Sequence, residues 1–369
     1  MIKTHENRHM NTMLQEWTYP LGLLLALAAA AVAGSKDQTL DIYWVDVEGG
    51  GGTLIVTPAG EAIEVDSGVP GDRDAGRIHR VVTQAADLDH LDHLVTTHFD
   101  MDHYGGAPNL ARLLPIRELW DNGIPTKDPS GRDDARFLER MKPYHEMNVG
   151  KRHIIAPGDL LPLKQSDNPG TARVAIRCLA ARQQFIKEAV DGNTRPNPVC
   201  GDAPEKPRVG DDNPNSVVLL LSFGPFRFFD AADLLWPFEK ELVCPVNLVG
   251  QVDVFQVTHH GLDRSNHPFL VRSLAPTVSV MVNGPTKGCE PETFATLKAT
   301  PSIQAMYQLH KNLRSDSQNN TTDDCIANLE RNCAANYIKL SVAPDGQSYV
   351  VSIPATGYQK IFRTRSPQK

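Results

Sequence analysis

The chain has 369 residues, of which 41% are hydrophobic and 22% are charged. This length can bury a sizeable core, as one large domain or as one domain with insertions. The formal net charge is -7 at pH 7, and no run of the sequence is rich in lysine and arginine. An acidic surface repels phosphate backbones, so we expect no stable binding to nucleic acid and no role on a membrane surface.

The first 33 residues are typical of an export signal. An apolar run over 21–32 is too short to span a bilayer comfortably, and it leads into Ala31-Val32-Ala33. Small residues at this spacing predict cleavage after Ala33, with an uncleaved anchor helix as the alternative. We therefore predict a periplasmic or secreted domain over 34–369 that has no membrane contact after cleavage.

Strand and helix patterns then alternate along the chain. Apolar alternation predicts strands at 39–47, 53–57, 61–65, 91–97, 172–179, 216–223, 226–229, 252–258, 278–282, 337–342 and 348–353. Helical spacing occurs at 74–86, 108–114, 137–144 and 268–274, near 294–297 and around His310. The pattern weakens over 121–168, where we predict an insertion near the pocket. Residues 189–215 form a long loop rich in Pro, Gly, Asn and Asp, which is typical of a lid or of disorder.

Six cysteines form an even set, as expected of an exported chain, and they allow 15 pairings. Cys325 and Cys333 lie in a polar stretch and are the pair we expect first. Cys178 lies in a predicted strand and has a buried free thiol as its alternative. No Cys-x-x-Cys motif occurs, so the sequence predicts neither a thiolate metal knuckle nor a redox motif.

The most informative motif follows the strand at 91–97 and reads His-Phe-Asp-Met-Asp-His over 98–103. Donors at alternate positions and then at adjacent positions let one tight turn aim several side chains at a common point. Histidine nitrogen with aspartate oxygen suits zinc, iron or manganese better than calcium. Two later strands also lead into candidate ligands, namely Asp233 and His259-His260-Gly261. Because strand ends at one sheet edge meet, the three clusters together predict a metal site.

In order, Asp66-Ser67-Gly68, the 98–103 run, Asp233 and His259-His260-Gly261 resemble the motifs of the metallo-β-lactamase superfamily. Residues 41–47, 53–56 and 215–221 resemble the subgroup formed by the hydrolase domain of the ComEC DNA-uptake proteins and its exported relatives. The resemblance extends from Thr39 to about Ile353. It implies an α/β fold, a four-layer αββα sandwich with insertions.

The resemblance also implies a role for each motif residue. His98 and Asp100 would hold a first metal, and Asp102 and His103 a second. Asp233 would bridge the metals. His260 would be the last ligand of the second metal, with His259 as the alternative. Asp66 would orient the ligand turn without touching a metal.

Two departures from the superfamily pattern bear on the metal content. Asp100 stands where a second histidine is usual, and no histidine between the first motif and Asp233 matches the superfamily's intermediate ligand. We therefore expect one or two ions, with the first position weak or empty. Zinc is the first expectation, and the oxygen-richer ligand set moves the preference toward manganese or iron.

These ligands predict a hydrolase that uses a metal-bound hydroxide, because a divalent ion lowers the pKa of bound water to roughly 7. Asp102 is the first candidate for the general base and Asp100 the second. Asn283 and His310 are candidates for substrate contact. The predicted substrate is a phosphodiester or other small ester. The alternatives are an amide, lactone or lactam and, in a different class, a non-catalytic binding protein with an impaired site.

Overall fold

A computed structural model describes Met1 and residues 36–202, 205–207, 210–316 and 318–365. The described residues from 36 onward form one compact unit. Apart from Met1, the predicted export signal lies outside the described residues. Within the described part of the chain, no helix has the length and apolar character needed to cross a membrane.

Two mixed β-sheets form the centre of this unit. The first has nine strands in the spatial order β17 (Tyr358–Arg363), β16 (Ser348–Ile353), β15 (Ile338–Val342), β1 (Leu40–Trp44), β2 (Thr53–Val56), β3 (Ala62–Val65), β4 (Leu91–Val95), β5 (Ile116–Asp121) and β6 (Lys151–Ile154). The strands β3 to β6 are parallel to one another, so their carboxyl ends lie at one edge of the sheet.

The second sheet has eight strands, in the order β14 (Ile326–Asn328), β13 (Ala305–His310), β12 (Val278–Met281), β11 (Val254–Gln256), β10 (Phe226–Asp230), β9 (Val218–Phe223), β7 (Val174–Ala181) and β8 (Gln184–Phe185). The strands β10 to β14 are parallel. Both sheets therefore present a row of parallel strand ends, where ligands from distant sequence can meet.

Helices cover the outer faces of both sheets. They are α1 (Asp72–Arg80, continued by a π-helical turn over Val81–Ala85), α2 (Met101–Tyr104), α3 (Ala107–Leu113), α4 (Phe137–Glu146), α5 (Trp236–Glu241), α6 (Pro268–Leu274) and α7 (Pro291–Lys298). One apolar core joins the inner faces of the sheets, where the rings of Trp44 and Phe228 lie 5.8 Å apart. Two further cores join α1, α3 and α4 to the first sheet and α5 to α7 to the second. The predicted four-layer αββα sandwich is confirmed.

The elements that the sequence did not predict are mostly short or lie at sheet edges. They are β5, β6, β8, β13, β14, β17, α2 and α5. The edge strand β6 is largely exposed, so it has no apolar alternation to detect. It lies with α4 inside the predicted insertion at 121–168 and pairs with β5. His310 ends strand β13, so the predicted helix there is wrong. Most of the residues over 305–310 are buried, so the sequence shows no clear two-residue alternation that would have indicated a strand.

The predicted Cys325–Cys333 disulfide is wrong. Cys200 is bonded to Cys244 instead, and this bond ties the long loop at 189–215 to the second sheet's helical layer. Cys325 is buried and free, with its Sγ 3.6 Å from the hydroxyl of Tyr358. Cys178 is also buried and free, so the alternative given for it, a buried free thiol, is confirmed.

Candidate metal centre

The predicted ligands follow the carboxyl ends of parallel strands in both sheets. The run at 98–103 follows β4 in the first sheet. Asp233 follows β10 and His260 follows β11, in the second. The site therefore forms where the two rows of strand ends face each other.

Four of the predicted ligands converge on one point: Asp102, His103, Asp233 and His260, here called the four-donor group. One donor atom from each lies within 4.8 Å of the other three. His103 Nε2 lies 3.1 Å from Asp233 Oδ2 and 3.2 Å from His260 Nε2. Asp102 Oδ2 lies 3.3 Å from His260 Nε2 and 3.5 Å from His103 Nε2. Two imidazole nitrogens facing two carboxylates form a donor set that suits a divalent cation.

Asp66 holds His103 in the orientation that this group needs. Its Oδ2 lies 2.7 Å from His103 Nδ1, on the far side of the ring from the other donors. The same carboxylate accepts hydrogen bonds from the backbone N–H and the hydroxyl of Thr97, at 2.8 and 2.7 Å. A proton fixed on Nδ1 leaves the Nε2 lone pair directed at the group, as in many zinc proteins.

His98 and Asp100 lie beside the four-donor group and not in it. His98 Nε2 lies 3.9 Å from Asp100 Oδ2, and the His98 ring packs 4.1 Å from the His103 ring. His98 is fully buried, and its Nε2 has no hydrogen-bond partner. Among the described residues, neither side chain belongs to a set of three converging metal donors.

The structure places the two adjacent histidines differently. His260 belongs to the four-donor group, whereas His259 lies at its border. His259 Nε2 lies 3.4 Å from Asp233 Oδ2 and 3.3 Å from Arg264 Nη2. Its Nδ1 lies 3.1 Å from the hydroxyl of Ser265. Burial lowers the pKa of His259 to about 3, so its imidazole is neutral at physiological pH.

Four non-glycine residues at this site have left-handed backbone: Asp66 (φ 63°), Ala232 (φ 47°), His259 (φ 56°) and His260 (φ 56°). This conformation costs roughly 1–2 kcal/mol per residue, because Cβ approaches the following carbonyl oxygen. A hydrogen bond of 2.8 Å from the His259 N–H to the Ala232 carbonyl links two of the strained segments. The strain therefore accompanies side chains that must point inward from neighbouring strand ends.

Charge coupling dominates the protonation of the group. Burial alone would raise the pKa of Asp102 and of Asp233, but their neighbouring histidines hold both pKa values well below the ordinary range. Burial alone would lower the pKa of His103, yet the carboxylates around it raise that pKa well above its ordinary value. A proton and a cation would therefore compete for His103.

The glycine turn at 49–52 packs directly on the site. A Cβ on Gly50 would lie 2.4 Å from the carbonyl oxygen of Asp102, and one on Gly51 would lie 2.8 Å from His103 Nδ1. The N–H of Gly51 donates to the Asp102 carbonyl at 3.0 Å. Only glycine allows the turn to approach this closely, so the turn helps to fix the position of the 98–103 run.

Three residues that the sequence analysis missed complete the surroundings. Lys287 Nζ contacts Asp102 Oδ2 directly. Asp212, in the long loop, accepts a hydrogen bond of 2.6 Å from the N–H of Phe99. Arg264 lies between His259 and Asp211. Lys287 follows β12 at the sheet edge that carries the ligands, so its position after a strand could have indicated it from the sequence. Asp212 and Arg264 lie in loops, and no sequence pattern indicated them.

Asn283 and His310, the predicted substrate contacts, are engaged inside the protein. Asn283 is fully buried, and its amide donates to the carbonyls of Gly284 and His310, at 3.1 and 2.8 Å. His310 is also fully buried, and its Nε2 lies 2.7 Å from Asp46 Oδ1. Both side chains are therefore engaged in internal hydrogen bonds, and neither faces solvent.

Residues 48–174 match the family model described as the metallo-beta-lactamase superfamily. The matched stretch is about a third of the chain; it contains Asp66 and the run at 98–103 and ends before Asp233 and His260. No curated protein matches the chain. The match and the two-sheet fold support the superfamily that the motifs resemble; they do not extend to the ComEC-like subgroup.

Several solved structures are similar to the chain at low identity. Zn(2+)-bound PqqB from Methylobacterium extorquens is 11% identical with a TM-score of 0.38, over 72% of this chain and 97% of that one. CmlA, a diiron beta-hydroxylase from Streptomyces venezuelae, is 13% identical with a TM-score of 0.39, over 73% and 52%. MEM-A1, a subclass B3 metallo-beta-lactamase from a soil metagenome library, is 17% identical with a TM-score of 0.33, over 75% and 77%. At these values the likenesses carry no argument about chemistry.

Proposed function

We propose that the chain is a metal-dependent hydrolase and that the four-donor group is its metal site. The convergence of two imidazoles and two carboxylates within 4.8 Å carries this proposal. Buried charges of this density are costly unless they bind a cation or pair with each other. The motif resemblance and the family match over 48–174 support the same assignment.

The donor set fits zinc best, with manganese or iron as the alternatives. All four donors are nitrogen or oxygen, and zinc binds both at about 2.0–2.2 Å in a tetrahedral arrangement. A bound divalent ion would supply an acidified water and polarise the substrate. Asp66 would keep His103 oriented toward the ion, since its hydrogen bond to Nδ1 exists independently of it.

The substrate we favour is a small phosphodiester or another anionic ester. Two cationic side chains border the group: Lys287 against Asp102, and Arg264 against His259. Both are partly exposed, with 38% of the Lys287 side chain and 40% of the Arg264 side chain accessible. Cations beside a hydrolytic centre stabilise the negative charge that develops on a phosphoryl group. The net charge of -7 disfavours a long polyanion.

Proton transfer falls to the two aspartates of the 98–103 run. Asp102 is ionised at neutral pH, but its lowered pKa and its contact with Lys287 make it a weak base. Asp100 is freer, with 30% of its side chain exposed beside His98. We assign metal binding and water orientation to Asp102, and we retain Asp100 as the second candidate for the general base.

We also propose that the protein is exported and belongs to the ComEC-like subgroup. The disulfide between Cys200 and Cys244 agrees with an oxidising compartment. The motifs around residues 41–56 and 215–221 support the subgroup.

The test compares metal-depleted protein with protein reloaded with zinc or manganese, using bis-p-nitrophenyl phosphate, a lactone and nitrocefin as substrates. We expect metal-dependent turnover of the phosphodiester that is lost in Asp233→Asn and His260→Ala. A matched control is Asp92→Asn, because Asp92 is a buried carboxylate on β4 whose partners Ala62, Arg117 and His90 lie outside the four-donor group. Turnover of the lactone or nitrocefin alone would replace the substrate assignment. Metal binding without turnover would favour the binding-protein alternative.

A further inference from the structure

A second group of metal donors lies outside the four-donor group. It consists of Asp46, His310 and Cys333, here called the thiol cluster, and one donor atom from each lies within 4.8 Å of the other two. Asp46 Oδ1 lies 2.7 Å from His310 Nε2, and Asp46 Oδ2 lies 3.4 Å from Cys333 Sγ. The residues come from the turn after β1, the end of β13 and the loop before β15. Distant positions thus form a cluster that no short Cys motif could reveal.

We propose that the thiol cluster is a second metal site, which binds zinc or a similar borderline-soft divalent ion through one thiolate, one imidazole and one carboxylate. Zinc takes all three ligand types, at about 2.3 Å for sulfur and 2.0–2.2 Å for nitrogen and oxygen. In a tetrahedron, such bonds place donor atoms roughly 3.3–3.6 Å apart. The observed 3.4 Å fits this separation, and the 2.7 Å hydrogen bond would have to open slightly.

The surroundings of the thiol cluster are consistent with a built site. Asp46 and His310 are fully buried, whereas Cys333 is only partly buried and gives access from solvent. The backbone carbonyl of His310 accepts a hydrogen bond from the Asn283 amide at 2.8 Å, which fixes the main chain that carries the imidazole. His310 Nδ1 has no hydrogen-bond partner, and a proton on that atom would leave the Nε2 lone pair facing the cluster as a metal ligand.

Two arginines near the cluster also contact carboxylates outside it: Arg77 and Arg73 both pair with Glu48, and Arg73 also pairs with Asp74. Arg77 Nη1 lies 3.2 Å from Asp46 Oδ2, and its Nη2 lies 3.0 Å from Glu48 Oε1. The Arg77 guanidinium is therefore shared between Asp46 and Glu48. Metal binding would release the Cys333 proton to solvent and leave a thiolate, so the ligands would carry two negative charges against the ion.

Cobalt(II) titration of the metal-depleted full chain, with the Cys200–Cys244 disulfide left intact, tests the proposal directly. The four-donor group has only nitrogen and oxygen donors, so a thiolate-to-cobalt charge-transfer band reports the thiol cluster alone. We expect this band in the wild type, its loss in Cys333→Ser, and its retention in Cys325→Ser, which removes a buried free thiol outside the cluster. Saturation of the wild type without a thiolate band, or a band that survives in Cys333→Ser, would overturn the proposal.

Alkylation provides an independent measurement that does not depend on cobalt. We expect saturating zinc to slow iodoacetamide labelling of Cys333 at least about 10-fold, because the coordinated sulfur is no longer a free nucleophile. His310→Gln should abolish this protection while circular dichroism shows a folded protein. Equal labelling rates with and without zinc would refute the site. The outcome does not depend on hydrolase activity, so the two proposals can fail separately.

Discussion

His103 Nδ1 lies 2.7 Å from Asp66 Oδ2, while His103 Nε2 faces Asp233 at 3.1 Å on the other side of the ring. The imidazole of His103 therefore lies between Asp66, which orients it, and Asp233, which belongs to the same candidate metal site. Asp66 also holds the N–H and hydroxyl of Thr97, immediately before the 98–103 run. The orientation of the ligand turn therefore depends on a residue that touches no metal donor other than His103.

We expect Asp66→Asn to weaken zinc binding about 10- to 100-fold, the range typical for loss of a carboxylate that supports a metal-bound histidine. Asp66 accepts from the Thr97 N–H on Oδ1 and from His103 on Oδ2, and the amide has only one acceptor oxygen, so it cannot keep both contacts. Isothermal titration with zinc in the Cys333→Ser background measures the effect at the four-donor group, with Asp92→Asn as the matched control. An unchanged affinity in Asp66→Asn would show that the His103 ring is held by packing alone.

Lys287→Met should have opposite effects on metal binding and on turnover. Removing the ammonium from Asp102 frees that carboxylate for a cation, so zinc affinity should rise roughly 3- to 10-fold. Turnover of an anionic phosphodiester should fall roughly 10- to 100-fold, because a charge partner of the substrate is lost.

The control for Lys287→Met is Lys311→Met, which removes a lysine paired with Asp323. Kinetics with p-nitrophenyl acetate, a neutral ester, separate the two effects and should show no such fall. A parallel decrease in zinc affinity and phosphodiester turnover would contradict the role given to Lys287.

Metal stoichiometry should distinguish the two halves of the 98–103 run. In the Cys333→Ser background, which removes the thiol cluster, we expect one tightly bound ion per chain, held by Asp102, His103, Asp233 and His260. His98→Ala should keep that ion, whereas Asp233→Asn should lose it. Elemental analysis after dialysis gives the counts. Two ions in that background, reduced to one when His98→Ala is added, would instead establish a second position at His98 and Asp100.

The stability of the protein should depend on Glu64. This side chain is fully buried on β3, and neither carboxyl oxygen has a hydrogen-bond partner. Burial, followed by the charge of Asp66, raises its pKa well above the ordinary 4.5. The folded chain therefore keeps a proton that the unfolded chain loses above about pH 4.5, so the free energy of unfolding should fall as the pH rises through this window.

Glu64→Gln removes this titration. At pH 8 its free energy of unfolding should exceed that of the wild type by about 1–3 kcal/mol, and the difference should shrink toward pH 4. Urea unfolding of both proteins at the two pH values tests this, with the exposed Glu146→Gln as control. A difference that does not vary with pH would mean that Glu64 is not protonated on folding.

The sequence revealed the donors of the four-donor group because each follows a strand whose apolar run marks its end. Parallel strands align such ends, so order along the chain was enough to predict proximity. Sequence could not reveal the left-handed backbone at 259–260, which decides that His260 and not His259 enters the group. It also could not pair Asp46 with His310, 264 positions apart, because that contact depends on how the two sheets are stacked.

The four-donor group draws two donors from each side of the sandwich: Asp102 and His103 follow the first sheet, and Asp233 and His260 follow the second. An ion bound there would act as a crosslink between the two sheets. At a free ion concentration of 100 times the dissociation constant, such binding adds about 2.7 kcal/mol to the free energy of unfolding. Chelation would then lower the melting temperature of the whole sandwich, and metal supply would govern how long the protein survives as well as whether it reacts.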